Sequence, residues 1–358
     1  MNSTSWCLLH LLIITVIWFY QQYYLFLQFS SIPNRNNLAG VPTNFRFSVF
    51  ESLFKYYKKD ALILIYNTGW APMKSYGYCN GRFDMGSFRL TGDRADLDKA
   101  DIVIFHHPEN RRKIPKRTKP DQIWIWFNLE PPKNIDHFIY ANNVFNLTAS
   151  FRFDSDISVP YGYFLTKPDN YTFTYKTHKN FSQKTKLVSW FVHDWEENSL
   201  RVKYYNNLKN YLNVDIYGRY ERVKDMCSVV SDYKFYLSFE NSNVTHYITE
   251  KLWRNAFICG AVPVVLGTVK ETYLKLGTPP DAFIHVDDFP NEKSLADYLK
   301  KVGENEVLYN SYLKWRKGHG IYSHETMASF FCKIVEYLNH HNVKPRPGIP
   351  NLYEWFIS

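Results

Sequence analysis

The chain reads Lys234-Phe-Tyr-Leu-Ser-Phe-Glu-Asn241, Ser242-Asn-Val-Thr-His-Tyr-Ile-Thr249, Glu250-Lys-Leu-Trp-Arg-Asn-Ala-Phe-Ile-Cys-Gly260 and Ala261-Val-Pro-Val-Val-Leu-Gly267 without a break, and this stretch decides the fold. Its first piece is apolar and aromatic on both faces, the pattern of a strand buried between two layers. A polar loop follows. Thr249 reads as the N-cap of a helix on which Leu252, Ala256 and Phe257 share one face. Gly260 stands where a helix C-cap glycine belongs, and Val-Val-Leu is a second strand. Strand, loop, helix and strand in this order build a parallel α/β sheet.

The chemistry of that unit lies in its loop. Ligands of open α/β sheets sit outside the carboxyl ends of the strands. A helix starting near Glu250 points free N–H groups and about half a positive charge at that crevice. Lys251 adds a full charge in the first turn, where it opposes the helix dipole, and a diphosphate would compensate both. Glu250 and Asn241 suit hydrogen bonds to sugar hydroxyls. Spacing alone leaves an ordinary surface Glu–Lys pair equally open.

The run Phe239-Glu-Asn-Ser, Tyr247-Ile-Thr-Glu-Lys-Leu, Asn255-Ala-Phe and Gly260-Ala-Val-Pro-Val-Val-Leu-Gly267 resembles the signature of the α1,3/4-fucosyltransferases, glycosyltransferase family ten. The resemblance continues over about residues 60 to 320. It implies an α/β fold of GT-B type, with two Rossmann-like domains facing a cleft after an N-terminal transmembrane anchor. The implied order is a cytosolic tail (1–5), an anchor (6–29), a stem (30–60), an acceptor-side domain (61–180), a GDP-fucose-binding domain (181–330) and a C-terminal segment (331–358).

In the first domain, Ala61–Tyr66, Asp101–Phe105 and Gln122–Asn128 read as strands, separated by helix-compatible stretches such as Gly92–Ala100. Glu130 follows the third strand directly, and Pro131-Pro132 stops it. A carboxylate there faces the crevice. Sugar transfer to a hydroxyl with inversion needs a base to take the proton. Spacing alone also fits an exposed turn glutamate. Trp126-Phe-Asn-Leu-Glu-Pro-Pro132 resembles the family's Trp-Phe-Asn-Leu-Glu-Ser-Pro, whose glutamate is the catalytic base, so the resemblance assigns that role to Glu130. Pro131 stands where serine is usual. Phe151-Arg-Phe-Asp-Ser-Asp-Ile157 is also family-like, with Phe153 in place of the usual second arginine, so an ion pair is expected to be missing there. Asp154-Ser-Asp156 looks like an Asp-x-Asp metal motif of another architecture. The resemblance implies instead that positive groups hold the diphosphate, with no divalent metal required and no tightly bound cofactor. His106 and His107 are adjacent on a strand, point to opposite faces, and do not easily share one ion.

In the second domain a helix is expected over Glu196–Leu212, with Leu200, Tyr204, Leu208 and Leu212 along one stripe. Arg201 lies beside it, and a guanidinium there can fork onto phosphate oxygens. Arg201-Val-Lys-Tyr-Tyr205 resembles the family segment whose arginine binds the donor. By the same resemblance Asn241, Tyr247, Glu250 and Lys251 contact GDP-fucose. His193-Asp-Trp195 departs from the family's Ser-Asn-Trp.

The formal net charge of +9 favours anionic partners, whether nucleic acid, membrane or a nucleotide-sugar diphosphate. Trp6–Phe29 is apolar enough to cross a bilayer, and no small-x-small cleavage site follows it. An uncleaved anchor is therefore expected, and the resemblance implies a single-pass type II protein of the Golgi membrane with a luminal catalytic part. Sequons at Asn146, Asn170, Asn180 and Asn243 agree with the lumen. The first three are glycosylation candidates. Asn243, inside the donor loop, is expected to be unmodified or to point outward. Anchor and sequons together argue against the nucleic-acid reading of the basic run Arg111–Lys119.

Four cysteines, Cys79, Cys227, Cys259 and Cys332, fall outside the anchor, and an oxidising lumen permits three full pairings. The resemblance implies Cys79 with Cys332. Cys259 is expected as a buried thiol on the apolar helix. The resulting expectation is inverting transfer of L-fucose from GDP-fucose to the 3-hydroxyl of N-acetylglucosamine in lactosamine-type glycans. Its partners are the donor, a glycan acceptor, the membrane, no nucleic acid and, as an open option, a second copy in a homodimer. The alternatives are a core α1,3-fucosyltransferase acting on N-glycans and a catalytically impaired nucleotide-sugar-binding protein.

Overall fold

Two parallel sheets organise the chain. The computed structural model describes residues 61–66, 86–107, 114–135, 137–166, 179–218, 223–324, 326–341 and 343–358, all within one compact unit, Phe54–Ser358. The expected tail, anchor and stem, with Cys7, Cys79 and Asn170, lie outside the described residues. Among the described residues no helix is long and apolar enough to cross a membrane.

The first sheet holds β1 (Leu62–Ile65), β2 (Arg89–Thr91), β3 (Ile102–His106), β4 (Ile123–Asn128), β5 (Leu147–Ser150) and β6 (Ile157–Ser158), in the order β2-β1-β3-β4-β5-β6. Every neighbouring pair is parallel. β3 and β4 are buried throughout, so both faces must be covered. Alternation sorts the side chains. Ile63, Ile104, Ile125 and Phe127 face one way, and Leu64, Val103, Phe105, Trp124 and Trp126 the other.

The covers come from the far end of the chain. Helix Met327–His340 packs on the first face, and helix Leu352–Ile357 closes the second. The helix expected within Gly92–Ala100 is a single 3₁₀ turn, Arg94–Asp96. Its aspartates explain this: Asp93 accepts from the N–H of Ala95, and Asp96 accepts from the Thr91 hydroxyl, local bonds that compete with a helix.

A strand β7 (Gly162–Thr166) leads out of the first sheet. The second sheet follows with β8 (Lys186–Phe191), β9 (Asp215–Tyr217), β10 (Tyr233–Phe239), β11 (Val262–Leu266) and β12 (Ile284–His285), ordered β12-β11-β10-β8-β9 and wholly parallel. β13 (His319–Ser323) returns antiparallel to β7. Helices Leu200–Leu208 and Glu292–Glu304 cover one face of the second sheet, through Val202, Leu208, Leu295 and Leu299.

Two expectations need correction here. The helix expected over Glu196–Leu212 spans only Leu200–Leu208, and Leu200 is 49% exposed. Leu208 and Leu212 of the expected stripe are in the core, but Val202 joins them in place of Leu200, and Arg201 beside it is buried. Cys259 is not a free thiol. It is disulfide-bonded to Cys227, because helix Met226–Val230 packs against the segment that Cys259 ends. Cys332 is also disulfide-bonded, while its expected partner Cys79 lies outside the described residues.

A third expectation is Asn146 as a glycosylation candidate; the structure places it among buried contacts. It is 4% exposed, and its carbonyl oxygen accepts from Trp124 N at 2.8 Å and from Arg117 at 3.0 Å. Its amide nitrogen donates to the Arg346 carbonyl. Asn180 and Asn243 are exposed.

His324 joins β13 to the C-terminal helix. Its Nδ1 lies 2.9 Å from Ser329 Oγ, its ring stacks on Phe330 at 4.2 Å, and burial pushes its pKa down to about 3. The unfolded chain takes up a proton near pH 6.5 that the folded chain refuses, so this stability is present above that pH and is lost as pH falls towards 3. Lowering the pH from about 6.5 to about 5 should cost about 2 kcal/mol through this group. Urea unfolding at both pH values, compared with His324→Asn, checks it: the variant should lack that increment.

Candidate active site

β10 ends at Phe239 and delivers Glu240 to the carboxyl end of the second sheet. The Glu240 side chain is only 2% exposed. Its Oε1 accepts from Thr249 N at 2.8 Å and from the Thr249 hydroxyl at 2.9 Å, and its Oε2 lies 3.0 Å from the Lys251 ammonium. Gly267, at the end of β11, makes room: a Cβ there would stand 3.2 Å from Glu240 Cγ. Lys251 Nζ also donates to Glu250 Oε1 at 3.1 Å and to Thr249 Oγ1 at 2.8 Å. The compensation expected from a diphosphate is thus already provided inside the chain by two carboxylates.

Thr249 does not serve as the N-cap. Its hydroxyl is committed to Glu240 and Lys251, and the helix runs Lys251–Ile258 with Glu250 in the cap position. The helix is wound wide rather than as an α-helix. Cys259 N bonds Arg254 O and Ala261 N bonds Ala256 O, each across five residues. This buries Leu252, Trp253, Asn255, Ala256 and Phe257, a broader face than an α-helical stripe. Gly260 ends it at φ +91°, in the left-handed region a C-cap glycine supplies.

Electrostatics separates the two carboxylates. Burial pushes the Glu240 carboxyl up, against the pull of Lys251. Burial would raise Glu250 too, but Lys251 outweighs it and holds that carboxyl below its usual range. Burial works against the charge on Lys251, and the carboxylates of Glu240 and Glu250 more than reverse this.

Arg201 belongs to the same field. Burial lowers its pKa, opposed by Asp194, Glu240 and Tyr247. It donates to the Asp194 carbonyl, with the Asp194 carboxylate 4.0 Å away. Arg201 Nε, Asn241 Oδ1 and Ser242 Oγ are buried with no hydrogen-bond partner among the described residues. An unsatisfied buried polar group costs about 1–3 kcal/mol. Three of them at the carboxyl ends of one sheet give the crevice unused hydrogen-bonding capacity for a polar ligand.

On the first sheet, Glu130 follows β4. Asn128 brackets it, donating to Glu130 O at 2.7 Å and accepting from Glu130 N at 3.2 Å. Its carboxylate Oε2 accepts from Asn134 Nδ2 at 2.8 Å, where Pro132–Asn134 forms a 3₁₀ turn. Beside it the Tyr161 hydroxyl donates to Leu129 O at 2.9 Å. The ring of Tyr161 meets that of Tyr247 edge-on at 6.3 Å, and Tyr247 also packs on Phe151 at 5.0 Å. Burial first, then Glu250, Glu130 and Glu240, push the Tyr161 phenol well up. The same carboxylates act on the buried Tyr247. Glu130 from one sheet and the Glu240–Lys251–Glu250 group from the other therefore converge on one tyrosine pair. Lys133 and Glu196 bridge the rims at 3.1 Å.

Phe153 stacks on His246 at 4.1 Å, and its N–H donates to His246 Nδ1 at 3.3 Å, so a ring stack occupies this position. Asp154 pairs with Arg152 at 2.8 Å; Asp156 accepts from Thr148 N at 2.8 Å and pairs with Arg346 at 2.6 Å. Among the described residues no group of three His, Cys, Asp or Glu is placed to hold a metal ion. His106 lies against Phe127 and His107 against Phe138, on opposite faces of the sheet. Two surface cavities, of about 470 Å³ beside Arg117 and Tyr140 and about 350 Å³ beside Lys186 and Lys300, open at the amino ends of strands. They are not the crevice where such sheets bind ligands.

Residues 181–355 match the family described as glycosyltransferase family 10 (fucosyltransferase), C-terminal part, and residues 58–162 match fucosyltransferase, N-terminal. The chain belongs to glycosyltransferase family 10. The 3-galactosyl-N-acetylglucosaminide 4-alpha-L-fucosyltransferase FUT3 of Homo sapiens is 46% identical over 238 residues, 64% of this chain and 64% of that protein. The 4-galactosyl-N-acetylglucosaminide 3-alpha-L-fucosyltransferase 9 of Mus musculus is 37% identical over 308 residues, 84% of this chain and 83% of that protein. The match thus spans slightly under two thirds of the human relative's length. A crystal structure of an alpha1,3-fucosyltransferase with GDP-fucose shares the fold, with TM-score 0.52 and 16% identity, covering 78% of this chain and 90% of that one.

In this family 10 chain Arg201, Tyr247, Glu250 and Lys251 share one electrostatic field with Glu240, and Glu130 acts on the same tyrosine pair. Asn241 lies at the start of the same loop. Sequence reasoning missed Glu240, Thr249, Tyr161 and Asn134. Glu240 carried a readable signal: like Glu130, it is a carboxylate immediately after a buried strand.

Lys251→Met should cost about 3–5 kcal/mol, because it strands a buried charge on Glu240. Adding Glu240→Gln to it should restore more than half of that loss, as read from denaturant midpoints. Additive losses would mean the two residues do not form a pair.

Proposed function

We propose that this family 10 chain transfers L-fucose from GDP-fucose to the 3-hydroxyl of N-acetylglucosamine in lactosamine-type glycans, with inversion, across the cleft of a GT-B arrangement. The convergence of Glu130 and the Arg201–Glu240–Lys251 group on Tyr161 and Tyr247 carries this reading. Asn134 holds one oxygen of Glu130, and the other takes no hydrogen bond from the described residues. That oxygen accepts the acceptor's hydroxyl proton as the acceptor oxygen bonds to C1 of fucose. The bond from C1 to the β-phosphate breaks on the opposite side, and GDP leaves with a new negative charge. Arg201, Lys251 and the N–H groups at the start of the Lys251–Ile258 helix stabilise that charge. Positive side chains thus do the work a divalent metal does elsewhere.

Both relatives are named for a galactosyl-N-acetylglucosaminide acceptor and differ in the hydroxyl that receives fucose. The apolar segment 6–29 and the exposed sequon at Asn180 support a type II Golgi membrane protein with a luminal site. The Cys227–Cys259 disulfide supports an oxidising compartment.

Glu130→Gln should lower kcat by about 10²–10⁴ while leaving the KM for GDP-fucose nearly unchanged. Transfer to N-acetyllactosamine, with and without EDTA, is the assay. Undiminished turnover in a folded variant would remove Glu130 from the mechanism, and failure to transfer to any N-acetylglucosamine acceptor would remove the activity itself.

A further inference from the structure

We infer that binding of the diphosphate at this site is coupled to uptake of one proton by Glu240. The inference rests on the donor reading above and adds to it a charge balance that the chain alone sets.

Lys251 lies 3.0 Å from Glu240 and 3.1 Å from Glu250, so one ammonium serves two carboxylates. Arg201 is the second cation in the field of Glu240. With the Asp194 carboxylate 4.0 Å from Arg201, two cations already face three carboxylates before the donor arrives. The diphosphate diester of a nucleotide sugar brings two further negative charges into the same crevice. The other titratable groups facing Glu240 offer no relief. Tyr236 on its own strand, Tyr247 and Tyr161 in the loops and Tyr273 on helix Lys270–Lys275 all have phenols pushed up, chiefly by burial, and stay neutral.

Neutralising one carboxylate eases the conflict, and the geometry selects which. The Glu240 side chain is 2% exposed, against 35% for Glu250, so Glu250 keeps its hydration while Glu240 cannot. A place for the proton exists. Thr249 Oγ1 lies 2.9 Å from Glu240 Oε2 and can accept from it, while Oε1 continues to accept from Thr249 N. The proton comes from solvent and ends on Oε2. Lys251 then loses one of its two anionic partners and turns its charge to the phosphates.

The sign follows. A neighbouring anion raises the affinity of Glu240 for a proton, so the complex holds more protons than the free protein. Donor affinity therefore falls as pH rises through the interval between the free and bound pKa, by up to about tenfold per pH unit.

The test is isothermal titration calorimetry of the full-length chain with GDP-fucose and no acceptor, in buffers of different ionisation enthalpy at mildly acidic pH. Both phosphates of GDP-fucose stay ionised there, so the ligand supplies no proton of its own. The expected result is uptake approaching about one proton per donor bound. Glu240→Gln should abolish the uptake and flatten the pH dependence of affinity. Tight binding without proton uptake in the unaltered protein overturns the inference even if Glu240→Gln does not fold. Uptake that persists in Glu240→Gln overturns the assignment to Glu240. Absence of GDP-fucose binding overturns the donor reading, and this inference with it.

Discussion

A single buried ammonium, Lys251 Nζ, ties together the elements that make the site. It binds Glu240 at the end of β10, Thr249 at the end of the loop and Glu250 at the head of the helix. Two unit charges about 4 Å apart attract by about 4 kcal/mol at an effective dielectric of about 20. Removing each ion from water costs several kcal/mol, so such a group comes close to breaking even in stability. What it supplies is position. The loop from Asn241 to Glu250 is anchored at both ends on one cation, and residues that spacing alone leaves scattered are held at the carboxyl edge of the sheet.

The two sheets are not independent bodies joined by a linker. The chain leaves the first sheet at β6, builds the second, and returns to cover both faces of the first with helices Met327–His340 and Leu352–Ile357. The loop from Asn241 to Glu250 itself reaches across. Tyr247 packs in the core that contains Trp126 and Phe356, and His246 stacks on Phe153. β7 presses Gly162 so closely on Trp253 that an added Cβ would lie 2.5 Å from the indole. The same helix that presents Lys251 thus also packs against β7 through Trp253.

What could be read from sequence follows from which contacts are local. The strands were legible because alternation and continuous burial are properties of five or six neighbouring residues. Gly260 was legible because a left-handed C-cap needs glycine. Thr249 was misread as a cap because its hydroxyl has a stronger partner, the buried Glu240, nine residues upstream. Gly92–Ala100 carries enough helix-forming residues to suggest a helix, yet the covers of this sheet lie more than two hundred residues away. Leu200 looked like core and Arg201 like surface, and tertiary packing exchanged them. The Cys227–Cys259 bond follows from packing of two helices that no spacing rule connects. In the site, resemblance supplied Glu130, Arg201 and Lys251, whereas the charge balance around Lys251 became visible only once Glu240 was placed.

Three carboxylates share the crevice, and their separation has a chemical consequence. Glu130, Glu240 and Glu250 all act on Tyr161 and Tyr247, whose phenols remain protonated. A phenol between two carboxylates could relay protons from one to the other. The Tyr161 hydroxyl donates to the Leu129 carbonyl and also hydrogen-bonds with Tyr247, so the two phenols form one pair among the three carboxylates. The rings of Tyr161 and Tyr247, edge-on at 6.3 Å, are the neutral groups on which all three carboxylates act.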